Sequence, residues 1–235
     1  MNDPAAGARS EAEEMRARIE RRRAPGAFGR PLEVRARLTS TNDRAKELAL
    51  AGAPEGAAVL ALSQTRGRGQ RGRAWISTPG RGLYLSVVLR PGTPARRSPE
   101  LAVAAALATA EMLAAAGVPG IAVKAPNDVL AGGRKIAGAL IEPRIARGRV
   151  EFAVAGIGLN LAHEAADWRG TGVEGRATSC RMEGVVLPLD EAAARLLEAL
   201  ERVYGEWRRG AAGALWARWT ALGGAAPAGA AKLEE

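Results

Sequence analysis

The sequence predicts a mixed α+β domain in which a largely antiparallel sheet is flanked by helices. Three observations point there. Alternating or apolar runs bounded by turn residues recur at 32–38, 57–63, 82–90, 121–124, 128–130, 134–145 and 150–161. An Ala131-Gly132-Gly133 turn joins two of these runs as a hairpin. Ser98-Pro99 and Gly117 bracket a helical stretch between strands, so the elements mix along the chain.

Taken in order, residues 1–9 read as disordered. Ser10-x-x-Glu13 is a capping box that opens a charged helix running to about Arg23. Only Met15 and Ile19 share a face of it, so it reads as peripheral. Together with the Gly/Pro linker from Ala24 to Pro31 it makes an N-terminal extension, 1–31. Leu32 to Leu38 alternates as a strand. Ser40-Thr-Asn-Asp43 caps a helix ending near Gly52. Helix 99–116, the strands from 121 to 161, a long helix from an Asp190 cap to about Arg208, and a last helix at 213–222 complete a domain spanning 32–222. Residues 223–235 read as a frayed tail.

With 235 residues, 47% of them hydrophobic, the chain builds a sizeable core without staples. Its one cysteine, Cys180, excludes an internal disulfide framework. The amino terminus is charged and has no apolar leader core. The longest apolar run, Leu101 to Val118, is broken by Thr109 and Glu111 and reads as a buried helix rather than a membrane span. The expected setting is the cytoplasm, with no membrane partner.

Charge is concentrated. Residues 56–99 hold eight arginines and no acid, whereas the whole chain has a net charge of +9. Within that segment lies Gln64-Thr-Arg-Gly-Arg-Gly-Gln-Arg-Gly-Arg-Ala-Trp75. Glycines interleaved with arginines let a backbone approach an anion while guanidinium forks neutralise it. Arg66, Arg68, Arg71 and Arg73 repel one another until such an anion arrives. Gly67-x-Gly69-x-x-Gly72 also matches the dinucleotide-binding fingerprint. That motif needs a helix starting within it and an acid about 20 residues on. Turn residues and a strand follow instead, with no acid before Glu100, so the fingerprint is rejected and the phosphate cradle kept. A mobile Arg/Gly surface loop is the plainer alternative.

Residue usage adds weight to certain positions. Against 30 arginines there are four lysines, four asparagines and two glutamines. A lysine retained in that background suits a site that needs a compact charge, and an amide one that needs both donor and acceptor. Several of them fall in four clusters: Ser40-Thr-Asn42, Gln64 to Trp75, Lys124-Ala-Pro-Asn-Asp128 with Lys135-Ile-Ala-Gly138, and Gly156-Ile-Gly-Leu-Asn160. In order and spacing these clusters resemble the catalytic domain of the biotin–protein ligases, whose fold is like that of class II aminoacyl-tRNA synthetases.

The resemblance implies ATP-dependent activation of biotin to biotinyl-5'-AMP and transfer to a lysine of a carboxylase's biotin carrier domain. ATP and Mg2+ would be co-substrates, with no tightly bound metal. It implies catalytic roles for Lys135, Arg68 and Lys124. Biotin contacts fall on Ser40, Thr41, Asn42, Gln64, Gly67, Arg68, Arg71, Arg73, Trp75, Lys135 and Gly138. Nucleotide contacts fall on Arg68, Arg71, Arg73, Asn127, Lys135 and Asn160. Asp128 would anchor its turn or aid the metal. A homodimer is left open, and no specific DNA binding is expected.

Plainer readings stand beside these. Ser40 and Thr41 also suit helix caps, Asn127-Asp128 a turn pair, Gly156 and Gly158 close strand packing, and Lys124 a solvated charge. His163, the only histidine, reads as solvated and without a catalytic role. Rival functions are a lipoate or octanoate ligase or transferase on the same fold, and a non-catalytic anion- or nucleic-acid-binding relative. The chain departs from the family pattern at Ala125, where a Trp is usual, and at Gln70, where an Arg is usual. The family's C-terminal β-barrel domain is also expected to be missing.

Overall fold

The computed structural model describes residues 4–225. Among them, seven strands form one sheet: β1 Leu32–Arg35, β2 Ala58–Ala61, β3 Gly82–Leu89, β4 Ile121–Lys124, β5 Asp128–Ala131, β6 Arg134–Ala146 and β7 Arg149–Asn160. Their spatial order is β1-β2-β3-β7-β6-β5-β4. Only β1 and β2 run parallel; every other neighbouring pair is antiparallel. Five helices accompany the sheet: α1 Pro4–Arg22, α2 Thr41–Leu50, α3 Glu100–Ala115, α4 Leu189–Arg208 and α5 Ala212–Ala221.

Strand period 2 sorts the side chains onto two faces. Leu83, Leu85, Val87 and Leu89 of β3, with Ala153, Ala155, Ile157 and Leu159 of β7, face a core shared with α1, α3 and α4. Val88, Phe152 and Val154 take the opposite face, under Ala45 and Ala49 of α2. Farther along that second face the alternating positions carry Ser86, Gly156, Gly158 and Gly138. Ser86 lies beside Gly156 and Gly158 beside Gly138 in the strand register. Residues this small leave the sheet bare beside the start of α2, and a cavity forms there.

Helix α3 is buried on nearly every side, as a core helix should be. With the turn before it, the stretch Ala95–Ala115 is long and apolar enough to cross a membrane, yet 72% of its apolar window is buried inside the protein. Its one interior acid, Glu100, is offset by Arg97 at 2.9 Å and by Trp207 Nε1 at 2.5 Å. Arg97 also lies over the Trp207 ring, 4.8 Å from its centroid. A buried carboxylate is tolerable only with such partners.

Several expectations are corrected. Helix α1 begins at Pro4, so residues 4–9 are helical. Ser10 lies within it and bonds Glu14 at 3.4 Å instead of capping. Nor is α1 peripheral. Ala12 completes a stripe with Met15 and Ile19, all three are buried, and Arg22 donates to Asp190 at 2.7 Å. Counting only large apolar residues missed that alanine. Asp190 therefore sits inside the first turn of α4 as an ion-pair partner, not as its cap. Ser98 is already helical, because a 3₁₀ turn at Ala95–Arg97 leads into α3. Strand β1 stops at Arg35, and an isolated bridge between Leu38 and Gln64 continues its direction. The expected disorder at residues 1–3 and the frayed tail from 226 onward lie outside the described residues.

Candidate functional site

The cavity encloses about 740 Å³ on the α2 face of the sheet. Its floor is a run of hydrogen bonds. The Gln64 side-chain oxygen accepts from the Thr41 amide at 2.8 Å and from the Thr41 hydroxyl at 3.2 Å. The buried Ser86 hydroxyl lies 2.8 Å from Thr41 Oγ1 and 2.6 Å from Asn42 Oδ1. Asn42 Nδ2 then donates to Glu142 Oε2 at 2.6 Å. Ser40 stands at the start of α2 in extended conformation, but its hydroxyl makes no capping bond. The cap role therefore does not account for Ser40, which is buried and lines the cavity.

The Arg/Gly segment between β2 and β3 forms one rim. It folds back on itself through Gly69 N–H to Arg73 O at 2.7 Å and Trp75 N–H to Gly67 O at 2.9 Å. Trp75 lies flat over the two bare strands. A Cβ on Gly138 would come within 3.3 Å of its ring, and one on Gly158 would overlap it. The glycines at 138 and 158 are thus the seat of an indole. Arg68 and Arg73 line the cavity, whereas Arg71 does not. Arg71 sits at the tip of a 3₁₀ turn with φ 57°, which leaves its side chain exposed. Gly67 does not line it either: it is buried behind the rim, where a Cβ would come within 2.6 Å of Trp75 O. Arg68 is also not an uncompensated charge. Its Nη2 donates to Asp43 Oδ1 at 2.7 Å and Glu142 Oε2 at 2.8 Å, so acids from α2 and β6 supply what the segment lacks.

The β4–β5–β6 hairpins form the facing rim. Lys135 Nζ lies 2.5 Å from Asp128 Oδ1 and 5.5 Å from the Trp75 ring centroid. The Lys135 backbone pairs with the segment beyond β7, donating to Arg176 O at 2.8 Å and accepting from Thr178 N–H at 2.9 Å. Asn127 and Asn160 line the cavity while their amides brace its walls. Asn127 Nδ2 donates to Ala139 O at 2.5 Å, and Asn160 Nδ2 to Thr178 O at 2.9 Å. Lys124 is exposed at the cavity's edge, with no ion pair among the described residues.

The sequence pattern of the Biotin/lipoate A/B protein ligase family matches residues 34–160. The biotin–[acetyl-CoA-carboxylase] ligase of Mycobacterium tuberculosis is 37% identical over 193 residues, 78% of this chain and 67% of that protein. The chain belongs to the biotin/lipoate A/B protein ligase family. The bifunctional ligase/repressor BirA of Bacillus spizizenii is 39% identical over 131 residues, and the match spans only 40% of its length. Among solved structures, the biotin protein ligase of Aquifex aeolicus in complex with biotin and ATP superposes with a TM-score of 0.63 at 27% identity, covering 76% of this chain and 72% of that one.

Within this ligase-family domain, four separate sequence clusters converge on one cavity. Sequence reasoning missed Ser86 and Glu142, which bond the lining residues Thr41, Asn42 and Arg68 from behind, and the lining wall from Trp168 to Ala177. Ser86 and Glu142 carried a signal: each is a small or charged polar residue interrupting an apolar strand. The wall carried none, being an irregular Gly-rich loop.

His163 is a correction. It is fully buried, stacked on Trp168 with centroids 5.2 Å apart, and neither ring nitrogen has a protein partner. Burial, aided by Arg81, pushes its pKa down to about 4, so the ring is neutral. An unfolded chain would protonate it near 6.5. Below that pH the unfolded state binds the extra proton, so stability falls as pH drops from about 6.5 toward 4, by roughly 3 kcal/mol in total. Urea unfolding of His163→Phe across that range should show a shallower loss than the parent. An identical slope would overturn the assignment.

Proposed function

We propose that this chain activates biotin with ATP to form biotinyl-5'-AMP and pyrophosphate, and then passes the biotinyl group to a lysine of the biotin carrier domain of a biotin-dependent carboxylase. One observation supports this most. A donor–acceptor floor (Gln64, Thr41 and Asn42, braced from behind by Ser86) lies in the same cavity as cationic rims (Arg68, Arg73, Lys124, Lys135), an arrangement suited to a ligand polar at one end and anionic at the other. The relative from Aquifex, which holds biotin and ATP, agrees with that reading.

In the first step a biotin carboxylate oxygen attacks the α-phosphorus as the bond to pyrophosphate breaks. Two anions must meet, and no covalent enzyme intermediate is needed. The chain's contribution is therefore placement and charge neutralisation. Lys135 follows the developing negative charge, with Asp128 holding its ammonium in place. Arg68, Arg73 and Lys124 neutralise the remaining phosphate charge, and Asn127 and Asn160 shape the adenylate side. The Trp75 rim covers the mixed anhydride and keeps water from it. In the second step a carrier lysine amine attacks the acyl carbon and AMP leaves. Mg2+ would arrive with the ATP phosphates, and Asp128, the carboxylate among the cavity-lining residues, could serve it. A cytoplasmic setting suits the buried Cys180 thiol, whose pKa burial pushes up to about 12.

The test is incubation with biotin, ATP and Mg2+, with mass spectrometry for biotinyl-AMP. Its appearance is the expected result. An adenylate formed from lipoate or octanoate but not from biotin would move the chain to the other branch of the family. No adenylate from any of them would leave a binding role.

A further inference from the structure

Arg68 reaches two carboxylates with a single nitrogen. Asp43 comes from the first turn of α2 and Glu142 from the middle of β6, and both accept from Nη2. Nε and Nη1 have no protein partner among the described residues, and the side chain lines the cavity. Glu142 has a second duty, since the same Oε2 also receives Asn42 Nδ2 at 2.6 Å. One carboxylate oxygen thus joins the polar floor to the arginine of the rim.

We infer that Asp43 and Glu142 are positioning residues for Arg68: together they dock segment 66–74 on the cavity and leave the remaining guanidinium edge for an anionic ligand. Four arginines within eight residues would otherwise push the segment into solvent. Two carboxylates on separate, rigid elements offset that repulsion. Charge-assisted hydrogen bonds near 2.7–2.8 Å are the stronger kind. Sharing one nitrogen fixes the rotation of a planar group, which a single ion pair would not. An occupant of the floor would touch Asn42, and through Glu142 that contact reaches the rim. The ligand's identity rests on the biotin reading above, but the docking itself does not.

The deciding experiment is therefore carried out without ligand. Hydrogen exchange of amides 66–74 is compared in the parent, Asp43→Asn, Glu142→Gln, Arg68→Ala and the Glu142→Gln/Arg68→Ala double variant. Each single change should speed exchange in that segment on the order of tenfold, with the global unfolding midpoint held. The double variant should exchange no faster than Arg68→Ala alone, because Glu142 acts through that arginine. Glu142→Asp, which keeps the charge, should recover part of the protection. Unchanged exchange in Asp43→Asn and Glu142→Gln, or additive effects in the double variant, would overturn the inference. A second arm measures release of biotinyl-AMP from the same variants, with faster release expected in each. If the parent does not bind biotinyl-AMP, the functional reading fails while the exchange result still stands.

Discussion

Lys135→Ala is expected to abolish adenylate formation, lowering biotin-dependent pyrophosphate exchange by about 10²–10³-fold or more, the scale of losing one aimed electrostatic contact at a reacting oxygen. Lys135 is one of only four lysines in the chain. Its ammonium is held 2.5 Å from Asp128 and near the Trp75 face, inside the cavity rather than in bulk solvent. The fold should tolerate the change. The pair is partly exposed, and such pairs contribute about 0–1 kcal/mol. The strand pairing of residue 135 uses backbone groups that alanine keeps. A normal thermal midpoint with exchange at the parental rate would remove Lys135 from the chemistry.

Gly158→Ala is the second large effect, and its sign runs against propensity. Alanine in a strand is ordinarily favoured over glycine by about 0.5–1 kcal/mol. Here the new methyl would overlap the Trp75 indole, lying 2.7 Å from Cζ2 and 2.8 Å from Cδ2. The opposite side of the ring's seat is Gly138, where Lys135 Nζ already stands 3.1 Å from the Cβ position. The indole has no slack toward the sheet and must lift. Overpacking of this kind costs about 1–3 kcal/mol. That overlap outweighs the propensity gain and moves a cavity wall, so biotin affinity should fall roughly 10–100-fold. Titration calorimetry with biotin, beside a circular dichroism spectrum, checks it. Parental affinity in a folded Gly158→Ala protein would show that Trp75 is not part of the binding wall.

How much of this was legible in the sequence varies with what each residue does. Strand period 2 puts Gly156, Gly158 and Asn160 on one face, and the Ala131-Gly-Gly133 turn marked the β5–β6 hairpin though not the bulge at Val129/Leu130, because turn and period depend on neighbours along the chain. The scarcity of lysine and amide side chains pointed to Lys135, Asn42 and Gln64. Long-range pairing was not legible. The acids that meet Arg68 lie 25 positions before and 74 positions after it. Reading the 56–99 segment alone therefore left its charge uncompensated. The burial of His163 was hidden for a different reason: Trp168, which covers the ring, is a near neighbour in the short 3₁₀ turn Ala165–Trp168, and no periodicity announces it. Ala12 was overlooked because a small side chain buries little area by itself, though its spacing from Met15 and Ile19 completes the helix stripe.

The docking of α1 on α4 has a consequence for how the protein is made. Ala12, Met15 and Ile19 leave the ribosome well before Leu189–Arg208, the helix that α1 packs against alongside β1. The pairing of Arg22 with Asp190 spans 168 positions. Until α4 is made the stripe has β1 alone to pack on, and the α1–α4 contact follows β7 in chain order. Contacts of such sequence separation form late and slowly. The charges that flank the stripe, from Arg16 and Arg18 to Glu20 and Arg21, give the waiting helix a solvated face.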